Sequence, residues 1–267
     1  MNHSGKALPK HELGWKYDLP TLNEIPKLPP ETEKITPPPN HCDDIYLEFA
    51  RSTFSTRGII LIISLTGLIF LGVMIFFMLS TTVKLGVSDS WDILLTALLA
   101  TPVALAFMLY FARLDLALPR DEPVRFNRAR KRVYFYHYTS DAIRVLSRKH
   151  WKVEPIAHNW EDITAEVYSG YGGAIEHVML SVRAPQSDNV IDRFIFAHSL
   201  TQGKQYWALA CLFMQQGPEA LPDFSYAPYD WNDEQYLNPI HRLAPKVQWP
   251  IEMDLESRTA PSPGEHP

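Results

Sequence analysis

The stretch from Gly58 to Val83 most constrains how this chain folds, because it holds no charged side chain over 26 consecutive positions. At a rise of about 1.5 Å per residue, a helix of this length spans roughly 39 Å, more than the roughly 30 Å hydrocarbon core of a bilayer. Buried helices of soluble proteins are rarely so long or so uniformly apolar. The stretch therefore predicts a membrane-spanning helix, and residues 84–92 lead from it into a second apolar run.

This second run, residues 93–112, is long enough for another span of about 30 Å. Pro102 lies near its middle, and membrane helices accept such a proline when a hydroxyl group or a neighbouring helix satisfies the freed carbonyl. The nine-residue loop between the runs makes the two helices antiparallel neighbours. Gly67, Gly72 and Pro102 are candidate helix-packing residues, since small residues allow close approach of membrane helices. Hydroxyl groups in both spans can join this seam or bond their own backbone.

Basic residues predict the orientation of the pair. Arg51 and Arg57 precede the first span, and many arginines follow the second, whereas Lys84 is the only basic residue of the loop. The positive-inside rule then leaves both termini in the bacterial cytoplasm and the loop outside the inner membrane. The phospholipid bilayer is thus an expected partner. Two helices cannot enclose a pore alone, so any channel would need a homo-oligomer, which the sequence leaves open.

The regions outside the spans differ in composition. Residues 1–57 carry many prolines and no apolar signal-peptide core, which predicts an unstructured or loosely docked cytoplasmic tail. Asp43 to Phe54 forms a candidate short helix at the end of this tail. Residues 223–267 form an acidic, proline-rich C-terminal tail whose aromatic residues allow it to drape over the domain or to remain free.

Residues 118–222 predict a cytoplasmic, mostly antiparallel β domain with a C-terminal helix. Strand-like segments flank a basic turn as a hairpin, four more strand candidates follow, and residues 204–216 have helical periodicity ended by Gly217 and Pro218. The strand candidates are Val124–Asn127, Val133–Tyr138, Trp151–Ala157, Ile163–Ser169, His177–Val182 and Asp192–Ala197. The fold class is therefore an α+β membrane protein, with a pleckstrin-homology-like barrel as the nearest analogy in element order.

Chemistry-bearing motifs are sparse. The net charge of −5 and the missing basic stripe argue against a nucleic-acid partner. Neither Cys42 nor Cys211 has a CxxC partner, and the histidines of the domain lack metal-binding spacing, so no metal or other cofactor is expected. Ser181, Asp192 and His198 are the components of a triad, but no nucleophile-elbow motif surrounds the serine. We expect the protein not to be an enzyme.

A basic cluster after the second span is the strongest local signal. Next to a membrane helix, each such side chain contributes about 1 kcal/mol of attraction to an anionic leaflet. The cluster can therefore contact lipid headgroups or a protein partner, or serve only to fix the topology. Its members are Arg125, Arg128, Arg130, Lys131 and Arg132.

The runs Pro119–Tyr134 and Trp207–Pro222, with their RFNR and GPE segments, resemble a bacterial family catalogued as domain of unknown function 6708. Genes of this family often lie near type VI secretion components and their toxic effectors. The resemblance implies a binding role beside such a toxin, as an immunity or accessory protein whose partner is an effector or secretion component. It supplies no catalytic residues. The alternative function is a membrane anchor that reads anionic lipids for an envelope process.

Overall fold

The described part of the chain folds into two antiparallel sheets, two long α-helices and three shorter ones. The structure, a computed structural model, describes residues 8–22, 24, 27–51, 57–87, 89–141, 144, 151–170, 175–185, 187, 189–228, 231–232, 239–262 and 264. The five-stranded sheet has the order β2-β3-β4-β5-β6, with β2 at His41–Cys42, β3 at Tyr46–Phe49, β4 at Val124–Asn127, β5 at Arg132–Thr139 and β6 at Lys152–Asn159. The four-stranded sheet has the order β1-β7-β8-β9, with β1 at Trp15–Asp18, β7 at Ile163–Gly170, β8 at Ile175–Arg183 and β9 at Val190–Ala197. The helices are α1 at Ile59–Leu85, α2 at Trp91–Ala117, α3 at Leu200–Gln216, α4 at Pro239–Leu243 and α5 at Ile251–Arg258.

The helices α1 and α2 are inserted between two neighbouring strands of one sheet. Strand β3 precedes them and β4 follows them, and the two strands pair antiparallel with Leu47 opposite Phe126 and Phe49 opposite Val124. The chain thus leaves the sheet and returns to it at the same end. Both helices are long and apolar enough to span a membrane. Most of their large apolar side chains are exposed, including Ile63 and Phe76.

The core lies between the two sheets and α3. The apolar face of β7 and β8, which includes Val167 and Leu180, is buried in this core, and polar residues of the opposite face, such as Glu166, are buried as well. The rings of Phe49, Phe126 and Phe196 pack edge to face, and Tyr206 of α3 stacks on Phe49 with ring centroids 4.4 Å apart. The antiparallel strands and the closing helix expected for residues 118–222 are therefore confirmed.

The N-terminal segment differs from the expected tail. Its described residues supply three strands, and Leu19, Ile35, Leu47 and Phe49 are buried in the core. The candidate helix at residues 43–54 is strand β3 over its described part, because alternate residues point into the core beside β4. The prolines of its described part lie outside the strands, where no ladder hydrogen bond is needed. Residues 1–7 and 52–56 lie outside the described part of the chain.

The C-terminal segment also packs on the sheets. Helix α5 lies on β4 and β5, while α4 and the residues after it lie beside the chain that leaves α2. Of the two arrangements expected for this acidic segment, the structure has the draped one over its described residues. Residues 229–230, 233–238, 263 and 265–267 lie outside the description.

Candidate binding site at the junction of the helices and the sheets

Asp115 connects the two long helices at their common end. It lies in the last turns of α2, is 6 % exposed, and its carboxylate accepts hydrogen bonds from the backbone amides of Gly58 at 2.8 Å and Leu61 at 3.0 Å. These amides belong to the first turn of α1, where no intrahelical acceptor exists. Arg57 lies close by and donates to the carbonyl oxygen of Pro119 at 2.6 Å. The base of the helical pair is therefore fixed by polar contacts.

Arg51 joins this base to both sheets. Its buried guanidinium donates to the carbonyl oxygens of Glu122 at 2.6 Å, Tyr136 at 2.9 Å and Ile195 at 3.1 Å. Its backbone amide donates to the Asp121 carboxylate at 3.2 Å. Burial lowers the pKa of Arg51, and the nearby carboxylates of Glu122 and Asp121 oppose that shift. Arg51, which precedes α1 in the chain, is thus linked to the segment after α2 and to strands β5 and β9.

Arg120 binds the C-terminal segment in a similar way. Its guanidinium donates to the carbonyl oxygens of Asn232 at 2.8 Å, Arg242 at 2.9 Å and Ala244 at 3.2 Å. The side chain is 2 % exposed, so these carbonyl groups replace its hydration. The segment that follows α2 therefore anchors the chain around α4.

A cavity of about 560 Å³ opens where these contacts meet. Its apolar wall comes from both long helices and from β8 and β9, and its polar wall holds three arginines, two histidines and two carboxylates. The lining residues are Arg51, Arg57, Ile60, Leu114, Asp115, Leu118, Glu122, His137, Met179, Arg193, Phe194, Ile195 and His198. This mixture suits an amphiphilic or partly anionic group more than a purely apolar one.

His198 lies on the rim of this junction cavity. Although its side chain reaches solvent, partial desolvation together with His177 and Arg51 lowers its pKa, while Glu122 opposes the shift. The imidazole is therefore neutral at pH 7 and adds no charge to the cavity at that pH.

An aromatic group lies beside the junction. Arg113 of α2 stacks over the ring of Trp151 at 4.4 Å. The Trp151 ring also contacts Tyr110 of α2 at 5.8 Å and Tyr138 of β5 at 6.5 Å, centroid to centroid. Tryptophan, tyrosine and arginine are the residues that membrane–water interfaces favour. The end of β5 is thus adjacent to the end of α2.

The predicted basic cluster lies elsewhere and holds helix α5. Arg125 is buried, forms ion pairs with Glu48 and Asp254, and lies over the Trp249 ring at 4.2 Å. Arg132 forms an ion pair with Glu256 at 2.7 Å. Asp254 and Glu256 of the C-terminal segment are therefore partners of these arginines, together with Glu48 of β3.

Asn127 and Arg130 bind the end of α5. The Asn127 amide group donates to the carbonyl oxygens of Ser257 and Thr259, both at 3.0 Å, and the Arg130 Nε donates to Thr259 at 3.0 Å. The last carbonyl groups of a helix lack intrahelical donors, and a cation stabilises that end of the helix dipole. Asn127 and Arg130 therefore form a clasp, hereafter the α5 clasp, for the C-terminal helix.

The turn that carries Arg128 to Arg132 also lies far from the long helices. Strand β5 runs from Arg132 to Thr139, and at about 3.4 Å per residue these ends are roughly 24 Å apart. Thr139 follows Tyr138, whose neighbour Trp151 contacts α2. Lys131 is exposed, while Arg128 is partly buried against Gly217. This placement does not favour headgroup contact by the cluster, which remains a prediction.

The helix-packing candidates have different surroundings. A Cβ atom on Gly67 would lie 2.7 Å from Cε of Met108, so Gly67 lies in the contact between α1 and α2. A Cβ atom on Gly72 would meet no atom within 4 Å, and Pro102 is exposed. Ser64 donates to its own helix at the carbonyl of Ile60, at 2.8 Å.

The triad components are not assembled. Ser181 donates to the Glu166 carboxylate at 2.5 Å, whereas the Asp192 carboxylate lies 3.3 Å from Nε2 of His158. From the sequence, Arg51 and Arg57 are interpreted only as signals of topology, and Asp115 is not identified as a site residue. A lone acidic residue just beyond an apolar run is the signal that could have identified it.

Together these features define an α+β protein in which a pair of long apolar helices is inserted into a sheet and fixed there by buried arginines. The chain belongs to a family of unknown function, DUF6708, whose model matches residues 101–261. The matched region begins inside α2 and extends through α5, so the C-terminal segment is part of the shared domain, as its packing on β4 and β5 requires. Comparison with curated proteins and with solved structures gave no match.

Proposed function

We propose that the protein is a membrane-anchored binding protein. Helices α1 and α2 insert as a hairpin into the bacterial inner membrane, and the sheets lie at the cytoplasmic surface with both termini. The support is the exposed apolar surface of both helices, which water would disfavour. The observation that carries the proposal is the network of Arg51, Asp115 and Arg120, because it couples the helices firmly to the sheets and so orients the domain against the bilayer.

Insertion and topology are tested by site-specific labelling. In a Cys42→Ser background, Val87→Cys lies in the loop between the helices and Ser187→Cys lies on the exposed surface of the domain. In intact cells with a permeabilised outer membrane, a membrane-impermeant maleimide should label position 87 only, and position 187 only after lysis. Equal labelling of both positions before lysis, or release of the protein by alkaline carbonate, would contradict the proposal.

The proposed partner is a protein, namely a type VI effector or secretion component, and the proposed action is immunity or accessory binding. This assignment rests on the family resemblance. Co-expression with the product of the adjacent gene tests it by scoring growth. Rescue from a toxic neighbour that is lost when Asp115 is replaced by Ala, but kept with Asp89→Ala in the exposed loop, would support it. A toxic neighbour that this chain does not neutralise would refute the immunity role.

A second candidate function is recognition of anionic lipid. The residues at the junction are better placed for this role than those of the basic cluster. Arg113, Trp151 and Tyr110 lie together beside the cavity, whose polar wall contains three arginines. The full-length protein in nanodiscs should then retain phosphatidylglycerol in preference to phosphatidylcholine. Arg113→Gln should reduce that preference, whereas Arg128→Gln at the distant turn should not. Equal retention of both lipids by the unaltered protein would exclude this function.

The strand order supports a pleckstrin-homology-like classification of the domain. Strands β3 to β6 form a four-stranded unit, β7 to β9 form a three-stranded unit, and α3 follows them. Strands β1 and β2 are then additions at the sheet edges, and the helical pair is an insertion after the first strand. This classification concerns architecture and carries no activity.

A further inference from the structure

The segment before β1 crosses the outer face of the four-stranded sheet. The Leu8 amide donates to the Val190 carbonyl at 2.9 Å, and Arg193 donates to the carbonyl oxygens of Pro9 at 2.7 Å and Lys10 at 2.5 Å. These contacts bring His11, which has no metal-binding motif around it in the sequence, against strands β1 and β7.

His11 meets two carboxylates there. One ring nitrogen of His11 and one carboxylate oxygen each from Asp18 and Glu166 lie within 4.8 Å of one another. Asp18 and Glu166 are opposite each other in the β1–β7 ladder, so the backbone itself holds the two carboxylates together. Residues separated by 155 positions in the sequence thus form one group.

Glu166 carries an oxygen atom that needs a partner. Its side chain is fully buried, and Oε2 accepts hydrogen bonds from Ser181 at 2.5 Å and Tyr168 at 2.8 Å, with Arg193 Nε at 3.4 Å. Oε1 of Glu166 and Nδ1 of His11 are both buried with no hydrogen-bond partner among the described residues. Leaving a buried acceptor unsatisfied costs about 1–3 kcal/mol, and more when the group is charged.

We propose that His11, Asp18 and Glu166 bind a divalent transition-metal ion of the zinc type, with solvent at the remaining position. An imidazole nitrogen with two carboxylate oxygens is a donor set that Zn²⁺ accepts. With bonds of about 2.1 Å, tetrahedral ligand atoms are roughly 3.4 Å apart, so the group must contract by about 1.4 Å at most. Asp18 is exposed on an edge strand and His11 precedes that strand. The Asp18 carboxylate accepts a hydrogen bond from Nε1 of Trp15 at 2.9 Å and lies 3.5 Å from Arg183, so binding exchanges one of these surface contacts for the ion.

The surroundings suit this role. Ser181, Tyr168 and Arg193 fix one oxygen of Glu166, as hydrogen-bond partners behind metal ligands commonly do. Arg193 also pairs with Glu12 at 3.1 Å, so its positive charge is shared between two carboxylates. The ion would fasten the N-terminal segment to the sheet and would therefore stabilise the fold.

The test uses the full-length protein, purified in detergent without a histidine tag and stripped with a chelator. Titration with Zn²⁺ should give one site, and Co²⁺ should give the visible absorption of a four-coordinate complex. Saturating Zn²⁺ should raise the temperature of unfolding. His11→Ala and Asp18→Asn should each weaken Zn²⁺ binding at least tenfold while the stripped variants retain the far-ultraviolet spectrum of the stripped unaltered protein.

The matched control is His41→Ala. His41 lies beside Cys42 and Asp43 on the surface and could bind metal adventitiously. The proposal holds if His41→Ala leaves the affinity unchanged. It is overturned if the unaltered protein does not bind Zn²⁺, if His11→Ala and Asp18→Asn both leave binding intact, or if binding is lost with His41→Ala. Because these two ligand variants alter exposed or half-buried side chains, misfolding of a Glu166 variant would not obscure the result.

Discussion

The Asp115 carboxylate of α2 accepts a hydrogen bond of 2.8 Å from the backbone amide of Gly58, the residue that precedes α1. Gly58 has a φ of 93° and offers no side chain of its own to cap the helix. The second helix therefore supplies the cap of the first, and this interaction forms only when the two helices are antiparallel neighbours. A negative charge at this position also interacts favourably with the positive end of the α1 helix dipole.

Replacing Asp115 with Ala should lower the free energy of unfolding by about 1–2 kcal/mol, because helix caps contribute about that amount. Asp115→Asn should lower the free energy of unfolding by less, because the amide oxygen still accepts a hydrogen bond. It should not retain the full value, because the amide carries no charge. Thermal unfolding in detergent measures both variants. Asp89→Ala, in the exposed loop, is the control and should shift the midpoint little. Equal midpoints for Asp115→Ala and Asp89→Ala would show that the cap is unimportant.

Removing the Asn127 side chain should release helix α5. Asn127→Ala leaves the carbonyl groups of Ser257 and Thr259 with one fewer donor and removes the acceptor of the Arg130 amide. The expected cost is about 1–3 kcal/mol, since the lost bonds are buried. Limited trypsin digestion should then cut after Arg258 several times faster, as read by mass spectrometry.

Lys131→Ala is the control for the α5 clasp because Lys131 belongs to the same basic turn but is exposed. It should leave the rate of cleavage after Arg258 unchanged. If both substitutions accelerate cleavage equally, the effect belongs to the net charge of the turn and not to the bonds of Asn127.

These contacts also show what the sequence could and could not predict. The long helices, the β4–β5 hairpin and α3 follow from local patterns of apolar residues, and they were predicted close to their observed bounds. Strand β3 was missed because its partner β4 is separated from it by the whole helical pair. A short apolar pattern next to a predicted span fits a helix as well as a strand until that distant partner is known.

The partners of the basic cluster could not be identified from the sequence for the same reason, because they too are distant along the chain. The charge of the cluster predicted contact with lipid headgroups or a protein partner, or a role in topology only, and in the structure Arg125 and Arg132 pair with Asp254 and Glu256. Charge density alone does not distinguish a lipid phosphate from a carboxylate of the same chain. The arginines that do lie at the junction, such as Arg51, are isolated in the sequence and become neighbours only through the sheet.

Stability should depend on pH through His241. This side chain is buried in α4, and burial, with Arg57 and Arg120 nearby, lowers its pKa to about 4. An unfolded histidine has a pKa of about 6.5, so between these values the unfolded chain binds more protons than the folded one. The contribution of His241 is therefore complete above pH 6.5 and is lost as the pH falls toward 4.

His241→Asn should flatten this part of the profile, because asparagine does not titrate. The measurement is the unfolding midpoint of both proteins from pH 7.5 to pH 4.5. His41→Asn, at a half-buried surface position, is the control and should keep the slope of the unaltered protein. An identical slope for His241→Asn would assign the acid sensitivity to other groups.

Substitutions at the two glycines of α1 should differ in effect. Gly67→Leu pushes a side chain into Met108 of α2, whereas Gly72→Leu extends into open space on the same helix. Overpacked contacts typically cost about 1–3 kcal/mol. Disulfide trapping of cysteine pairs between α1 and α2 should therefore fall in efficiency with Gly67→Leu and remain unchanged with Gly72→Leu. Equal efficiencies would show that Gly67 is not needed for packing.

Gly203 of α3 should resist substitution for a related reason. A Cβ atom there would collide with the side chain of Val178 on β8 and would lie 3.4 Å from Cβ of Ala197. Gly203→Ala should gain about 1 kcal/mol of stability from the higher helix propensity of alanine. The collision should cost more than this gain, so that the variant is less stable by about 1–2 kcal/mol. Val178→Ala alone should also destabilise, because it leaves a cavity. The double variant should be at least 1 kcal/mol more stable than the sum of the single effects predicts, as measured by chemical denaturation, since each change makes room for the other. Additive effects would mean that the helix moves away from the sheet and that the close approach of α3 to β8 is not required.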